Sequence, residues 1–194
     1  RLELWEYETI RMASFNPTSI HACNTEVVYV SKIYPDLYVS STYEIDFDRL
    51  YRSGYRGLIF DIDNTLVTHG APANDQAKQL FAHLHEIGFA TCLISNNQEP
   101  RVKPFADAVH SLYIYDAHKH QQKNYEKAME RMHTEKGNTI FIGDQMFTDV
   151  FGANRTGIPS IMKENPLEGR NPDCFKTAVG SHCADWLPQI QKDT

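Results

Sequence analysis

Gly57-Leu58-Ile59-Phe60-Asp61-Ile62-Asp63-Asn64-Thr65 is the stretch from which the fold can be read. Four uncharged residues run directly into two aspartates spaced two apart. An unbroken apolar run of this length suits a central parallel strand, buried on both faces. The aspartates then stand at its carboxyl end. Side chains alternate along extended chain, so Asp61 and Asp63 point the same way.

Working outward, the periods alternate between strand and helix. Residues Asn74 to Ile87 place Ala77, Leu80, Phe81, Leu84 and Ile87 on one helical face, and Gly88 supplies the stop. Phe89 to Ile94 predicts a second strand, ending at Ser95-Asn96-Asn97. A helix over Pro100 to Val109 and a short strand, Leu112 to Tyr115, come next. Tyr125, Ala128, Met129 and Met132 mark another amphipathic helix, and Asn138 to Ile142 a fourth strand ending at Gly143-Asp144. A helix running to Arg155, a stop at Gly157 and a fifth strand over Ile158 to Met162 complete the regular part. Upstream, a short helix is expected over Asp46 to Arg52, and Glu26 to Val30 is β-prone. The β-α-β-α order predicts an α/β fold: about five parallel strands, helices on both faces, and right-handed crossovers.

In such sheets ligands bind beyond the carboxyl ends of the strands. Asp61, Asp63, Ser95, Lys119, Asp144 and Asp149 all fall there. Four carboxylates gathered in one crevice repel and resist desolvation, so the arrangement calls for a cation. Oxygen-only ligands suit a hard ion, Mg²⁺ above all, which retains waters and accepts phosphate oxygens. Lys119 and Ser95 add a positive charge and a hydroxyl, the pair needed to hold a phosphoryl group.

Bulk properties remove several classes of function. The chain has 194 residues, 41% of them hydrophobic, with a net charge of −6. That excess of acid disfavours general nucleic-acid binding. No apolar run reaches the length of a membrane span. Cys23, Cys92, Cys174 and Cys183 form no C-x-x-C pair and no zinc spacing, and Cys92 sits in an apolar run that predicts a buried thiol. A reducing, cytoplasmic setting is expected. The chain begins at Arg1 without an initiator Met and shows no signal-peptide pattern, which leaves targeting open.

Together these residues resemble the haloacid dehalogenase (HAD) superfamily of phosphotransferases. Asp61-Ile62-Asp63-Asn64-Thr65 is similar to its motif I (DxDxT), Ser95 to motif II and Lys119 to motif III. Gly143-Asp144-Gln145-Met146-Phe147-Thr148-Asp149 is similar to the acidic motif IV, and all four stand in the family's order. Asp-Asn-Thr-Leu-Val, Ser-Asn-Asn, Gly-Asp-Gln-x-x-Thr-Asp-Val and the upstream Pro35-Asp36-Leu37-Tyr38-Val39 resemble the YqeG-type branch of subclass IIIA. Relatives of that branch include the mitochondrial phosphatidylglycerophosphate phosphatase. The resemblance implies a Rossmann-like HAD fold over residues 36–163, with an N-terminal extension (1–35) and a C-terminal tail (164–194). It departs at one point: the branch usually follows the motif III lysine with proline, and here His120 follows Lys119, so Lys123 or Lys103 stands as an alternative.

The resemblance also implies roles. Asp61 attacks phosphorus and becomes an aspartyl-phosphate; Asp63 protonates the leaving oxygen and later activates water. Mg²⁺ is held by the Asp61 carboxylate, the Asp63 carbonyl and Asp144, with Asp149 orienting them from behind. Ser95 and Lys119 hold the phosphoryl oxygens, and Thr65 tightens the loop. Receiver domains use a similar set in another order, with paired acids on the first strand, and fit poorly.

Lids in this superfamily are inserted after motif I or motif II. Only 31 residues separate Asp63 from Ser95 and 23 separate Ser95 from Lys119, whereas an independent lid domain needs on the order of 50. A capless site favours a large phosphorylated substrate: a phospholipid head group such as phosphatidylglycerophosphate, met peripherally at a membrane, or a protein or nucleic-acid terminus. The competing class is a scaffold that keeps the fold with little turnover. Other features read as surface. His118 and His120 lack a third imidazole, His83 and His85 fall off their helix's apolar face, and Lys123, Lys127 and Arg131 form a solvated stripe.

Overall fold

The computed structural model describes residues 34–164. The expected extension and tail lie almost wholly outside the described residues, as do Trp5, Trp186, the β-prone segment 26–30 and three of the four cysteines.

Six parallel strands form one sheet: β1 (Leu37–Val39), β2 (Gly57–Phe60), β3 (Ala90–Ile94), β4 (Leu112–Ile114), β5 (Thr139–Gly143) and β6 (Ser160–Lys163). Their spatial order is β1-β6-β5-β2-β3-β4. One strand more than expected is present. β1 is only three residues long, too short to show a period, and is defined by pairing Leu37 with Ile161 and Val39 with Lys163 across the far edge.

β2 is buried along its whole length, as is β5 beside it. Leu58 and Phe60 face one side with Leu93, Ile140 and Ile142, while Ile59 faces the other with Cys92 and Phe141. Three helices cover the first side: α1 (Phe47–Arg52), α2 (Asp75–Ile87) and α3 (Glu99–Val109). Phe60 lies between Phe47 and Phe81, with ring centroids 6.2 and 5.2 Å apart. α4 (Gln122–Met132) and α5 (Phe151–Thr156) cover the second, where Tyr125 meets Phe141 edge-on.

Local chemistry fixes the helix ends. The Asn74 side chain accepts from the Ala77 N–H at 2.8 Å to open α2, a cap worth about 1 kcal/mol. Gly88 closes it in the left-handed region at φ +107°. The helix expected before Arg155 has a different start: residues Met146–Val150 wind as a single π-helical turn before α5 begins. Such turns cluster at functional sites. His85 is half-buried, where exposure was expected, because its Nε2 lies 3.0 Å from the Thr91 hydroxyl.

After β2 the chain moves outward through β3 and β4, then crosses to β5, β6 and back toward β1. The switch point lies between β2 and β5, with Phe60 paired to Ile142. Among the described residues, β2 and β3 are joined by a loop and α2, and β3 and β4 by α3 alone. No cap domain interrupts either crossover.

Candidate active site

The Asp61 N–H donates to the Ile142 carbonyl at 2.9 Å, extending the β2–β5 ladder to the mouth of the switch point. The chain then turns tightly. Leu66 and Val67 donate back to the Ile62 carbonyl, Asn64 adopts φ +61°, and its carbonyl accepts from Lys163 Nζ at 2.5 Å. Thr65 ties the loop down: its hydroxyl is 3.5 Å from Asp61 Oδ2, and its carbonyl accepts from Thr42 at 2.9 Å.

Across the switch point, Asp144 follows β5 and Asp149 lies within the π-helical turn. Gly143 gives Asp149 room, since a Cβ there would collide with the Asp149 carboxylate. Asp149 Oδ2 accepts from the N–H groups of Asp144 and Gln145 at 3.3 and 3.2 Å. Asp61, Asp144 and Asp149 are buried and each offers a carboxylate oxygen within 4.8 Å of the others.

Lys119 is the cation among them, its side chain only 4% exposed. Its ammonium lies 2.6 Å from Asp61 Oδ1 and 2.8 Å from Asp149 Oδ1. The loop carrying it takes an unusual path, with Asp116 at φ +46° and His118 at φ +41°. Those twists bury Lys119 and leave His118 and His120 exposed. The Asn96 side chain accepts the Lys119 N–H at 3.0 Å, and Ala117 donates to the Ser95 carbonyl at 2.9 Å. Gly152 lets α5 pack on this loop, because a Cβ would overlap the Lys119 carbonyl oxygen. Lys103 instead pairs with Asp107 on the surface, and Lys123 is exposed. Of the three candidate lysines, only Lys119 enters the carboxylate cluster.

The cluster is over-supplied with negative charge. With all three carboxylates ionised, one ammonium would leave two negative charges uncompensated. Burial and the neighbouring Asp149 push the Asp61 carboxyl up despite Lys119. Burial and Asp149 also raise Asp144. Burial alone would lower Lys119, but Asp61 and Asp149 outweigh it and hold the ammonium firmly protonated. Asp144 Oδ1 is buried without a hydrogen-bond partner among the described residues. An orphaned buried oxygen of this kind calls for a partner that those residues do not supply. The all-oxygen set, the missing partner and the charge deficit together fit a hard divalent cation.

Asp63 lies apart from this trio. Its Oδ1 accepts from the Gly70 N–H and from Arg101 Nη2, both at 2.8 Å, and its Oδ2 from Asn97 Nδ2 at 2.8 Å. Burial raises this carboxyl, but Gly70, Arg101 and His69 together hold it below its ordinary value. Ser95 is buried at the end of β3, where its Oγ accepts the Asn97 N–H at 3.2 Å. Neither Arg101 nor the side-chain roles of Asn96 and Asn97 stand out in the sequence. The available signal was a cation in the first turn of a helix, where the dipole disfavours it unless an anion is near.

A family model described as HAD-hydrolase-like matches residues 117–164. "Probable phosphatase YqeG" of Bacillus subtilis (strain 168) is 36% identical over 129 residues, covering 66% of this chain and 75% of that protein. Among solved structures, an uncharacterized protein from Listeria monocytogenes serotype 4b is 17% identical with a TM-score of 0.49, covering 58% of this chain and 80% of that one. The cobalt-bound deoxy-D-mannose-octulosonate 8-phosphate phosphatase of Haemophilus influenzae is 14% identical with a TM-score of 0.42, covering 47% and 59%. The YqeG match spans most of its counterpart, so the chain belongs to the haloacid dehalogenase superfamily and is a phosphatase of the YqeG family.

Proposed function

We propose that the protein is a Mg²⁺-dependent phosphomonoester hydrolase that works through a phosphorylated Asp61, on the subclass IIIA pattern. The observation that carries this reading is the buried trio of Asp61, Asp144 and Asp149, with Lys119 paired to the first and the last and Asp144 Oδ1 lacking a hydrogen-bond partner among the described residues. Asp61 and Asp144 would hold Mg²⁺ with the Asp63 carbonyl, and Asp149 would orient them through the Asp144 and Gln145 N–H groups. When bound, the ion supplies Lewis-acid polarisation of the phosphoryl group and offsets the excess charge.

The chain's own residues do the rest. An Asp61 oxygen attacks phosphorus, and the bond to the leaving oxygen breaks. Asp63 gives that oxygen its proton, then takes one from the water that cleaves the acyl-phosphate. Lys119 and Ser95 neutralise and orient the phosphoryl oxygens. The core responsible is 36–163, flanked by the extension and tail.

The short crossovers favour a phosphate carried on something large, and a phospholipid head group such as phosphatidylglycerophosphate is the substrate we propose. No described helix is long and apolar enough to cross a membrane; a cytoplasmic enzyme meeting its substrate peripherally suits the reading. The test is hydrolysis of p-nitrophenyl phosphate and of a phosphoester panel that includes this lipid, with Mg²⁺ and with EDTA. We expect Mg²⁺-dependent turnover, preference for the lipid, and a loss of at least about 1000-fold in Asp61→Asn. Activity that survives Asp61→Asn would overturn the nucleophile assignment. Equal turnover of several small sugar phosphates would overturn the substrate class, and inactivity across the panel would favour a scaffold.

A further inference from the structure

Arg101 is held at the edge of the site with no assigned task. It occupies the first turn of α3, where the helix dipole opposes a positive charge. Its side chain is 23% exposed and its Nη2 donates to both Asp63 Oδ1 and the Ala71 carbonyl, each at 2.8 Å. The guanidinium also lies over the Phe105 ring, 5.8 Å from its centroid. None of these hydrogen bonds reaches Asp61, Asp144 or Asp149.

The two oxygens of Asp63 are unequally used. A carboxylate oxygen has two lone pairs available. Oδ1 receives two donors, Gly70 N–H and Arg101 Nη2, with His69 Nδ1 3.9 Å away. Among the described residues Oδ2 receives one, the Asn97 amide. Oδ1 is therefore saturated, and Oδ2 keeps a free lone pair.

We infer that Arg101 is a positioning residue: it fixes Asp63 Oδ1 so that Oδ2 is the oxygen that exchanges a proton with the leaving group. The inference rests on the proposed role of Asp63 as proton donor. In that step the Asp61 oxygen–phosphorus bond forms as the phosphorus–leaving-oxygen bond breaks. The bonding pair stays on the leaving oxygen, which takes the proton from Oδ2. Losing Arg101 frees the carboxylate to rotate and opens Oδ1 to compete for the proton. The loss matters most for a leaving group that cannot depart as an anion.

The experiment compares kcat/KM, which reports steps through loss of the leaving group, for p-nitrophenyl phosphate, phenyl phosphate and an alkyl monoester. Wild type, Arg101→Met and Asp63→Asn are measured with Mg²⁺ present. Asp63→Asn and Arg101→Met should both raise the nitrophenyl-to-alkyl ratio, by on the order of 100-fold in the first case and 10-fold or more in the second. Arg101→Lys, which can keep one hydrogen bond, should bring the ratio part of the way back to wild type, and Arg101→Leu replaces Arg101→Met if that variant does not fold. A raised ratio in Asp63→Asn with an unchanged one in Arg101→Met (or in Arg101→Leu, should it stand in) overturns the inference alone. An unchanged ratio in Asp63→Asn overturns the reading of Asp63 itself, whatever Arg101 does.

Discussion

Asp61 and Asp63 leave the same strand two residues apart, yet their carboxylates sit under opposite electrostatics. Asp61 shares one ammonium with Asp149, beside the third buried carboxylate of Asp144, and is pushed up. Asp63 is ringed by a guanidinium, an amide and a backbone N–H and is held down. Strand alternation puts both at the crevice, but neighbouring strands supply their partners: β5 and the Lys119 loop for Asp61, the β3–α3 junction for Asp63. The shifts also run against the proposed roles, since a nucleophile needs ionising and a proton donor needs its proton. Two added positive charges beside Asp61, Asp144 and Asp149 would correct the first of these. On the proposed reading a cation completes the Asp61 side, whereas the Asp63 carboxylate takes its partners from the protein itself.

The largest expected effect that could break this contrast is on stability. Lys119→Met removes the single cation from the cluster and leaves Asp61 and Asp149 buried without it. Removing one partner of a buried pair costs about 3–5 kcal/mol, so urea unfolding in EDTA should show a loss of that size. Added Mg²⁺ should recover part of it, because a ligand that binds only the folded state stabilises by mass action. A loss under about 1 kcal/mol, in the range of exposed pairs, would mean that the carboxylates are not ionised together.

The two aspartates should also give pH dependences of opposite sign. A carboxyl raised on folding favours the folded state at low pH, and that contribution is lost as pH rises through the folded value. For Asp61 this is the window from about 4 up to about 8. A lowered carboxyl contributes above its unfolded value and is lost as pH falls through the folded one. For Asp63 the loss therefore lies below the ordinary value of 3.8. Melting temperatures in EDTA should fall across the neutral range in wild type and stay flatter in Asp61→Asn. Asp63→Asn should instead flatten the acid side. Saturating Mg²⁺ should remove the neutral slope from wild type. If EDTA and Mg²⁺ give the same slope, the cluster is not the cation's site.

How much of this was legible follows from which contacts are local. β2 and the helix face of α2 are written in periods of consecutive residues, so their places could be read directly. The positions of Asp61 and Asp144 were legible because each stands just beyond a strand, and those of Lys119 and Asp149 because each lies in the loop or turn that follows one, at the edge where the topology gathers them. β1 was not, since three residues carry no period and its identity comes from pairing with β6, more than a hundred positions away. Arg101 was hidden for a related reason. Only the docking of α3 against the loop at Gly70 and Ala71 brings its guanidinium to Asp63. The same folding carries His85 to Thr91, which a helical wheel alone leaves facing solvent.

The smallest expected effect sharpens the contrast at its most ambiguous point, the choice of lysine. His120 after Lys119 leaves three lysines open by sequence, and the geometry separates them. Lys103 is exposed, with its ammonium 3.0 Å from Asp107 one helical turn away, and Lys123 is exposed at the start of α4. An exposed ammonium beside its own helical partner is screened by water and salt, and its loss should not be felt at phosphorus. Lys103→Ala and Lys123→Ala should each keep kcat/KM for p-nitrophenyl phosphate within about twofold of wild type, in the range of surface substitutions. Lys119→Arg keeps the charge but not the compact ammonium, and two oxygens at 2.6 and 2.8 Å leave no room for a planar fork. It should lose far more activity than either alanine variant, although it is the conservative change. A large loss in Lys103→Ala or Lys123→Ala, with Lys119→Arg active, would move the phosphoryl-binding cation out of the buried cluster and undo the division between the two aspartates.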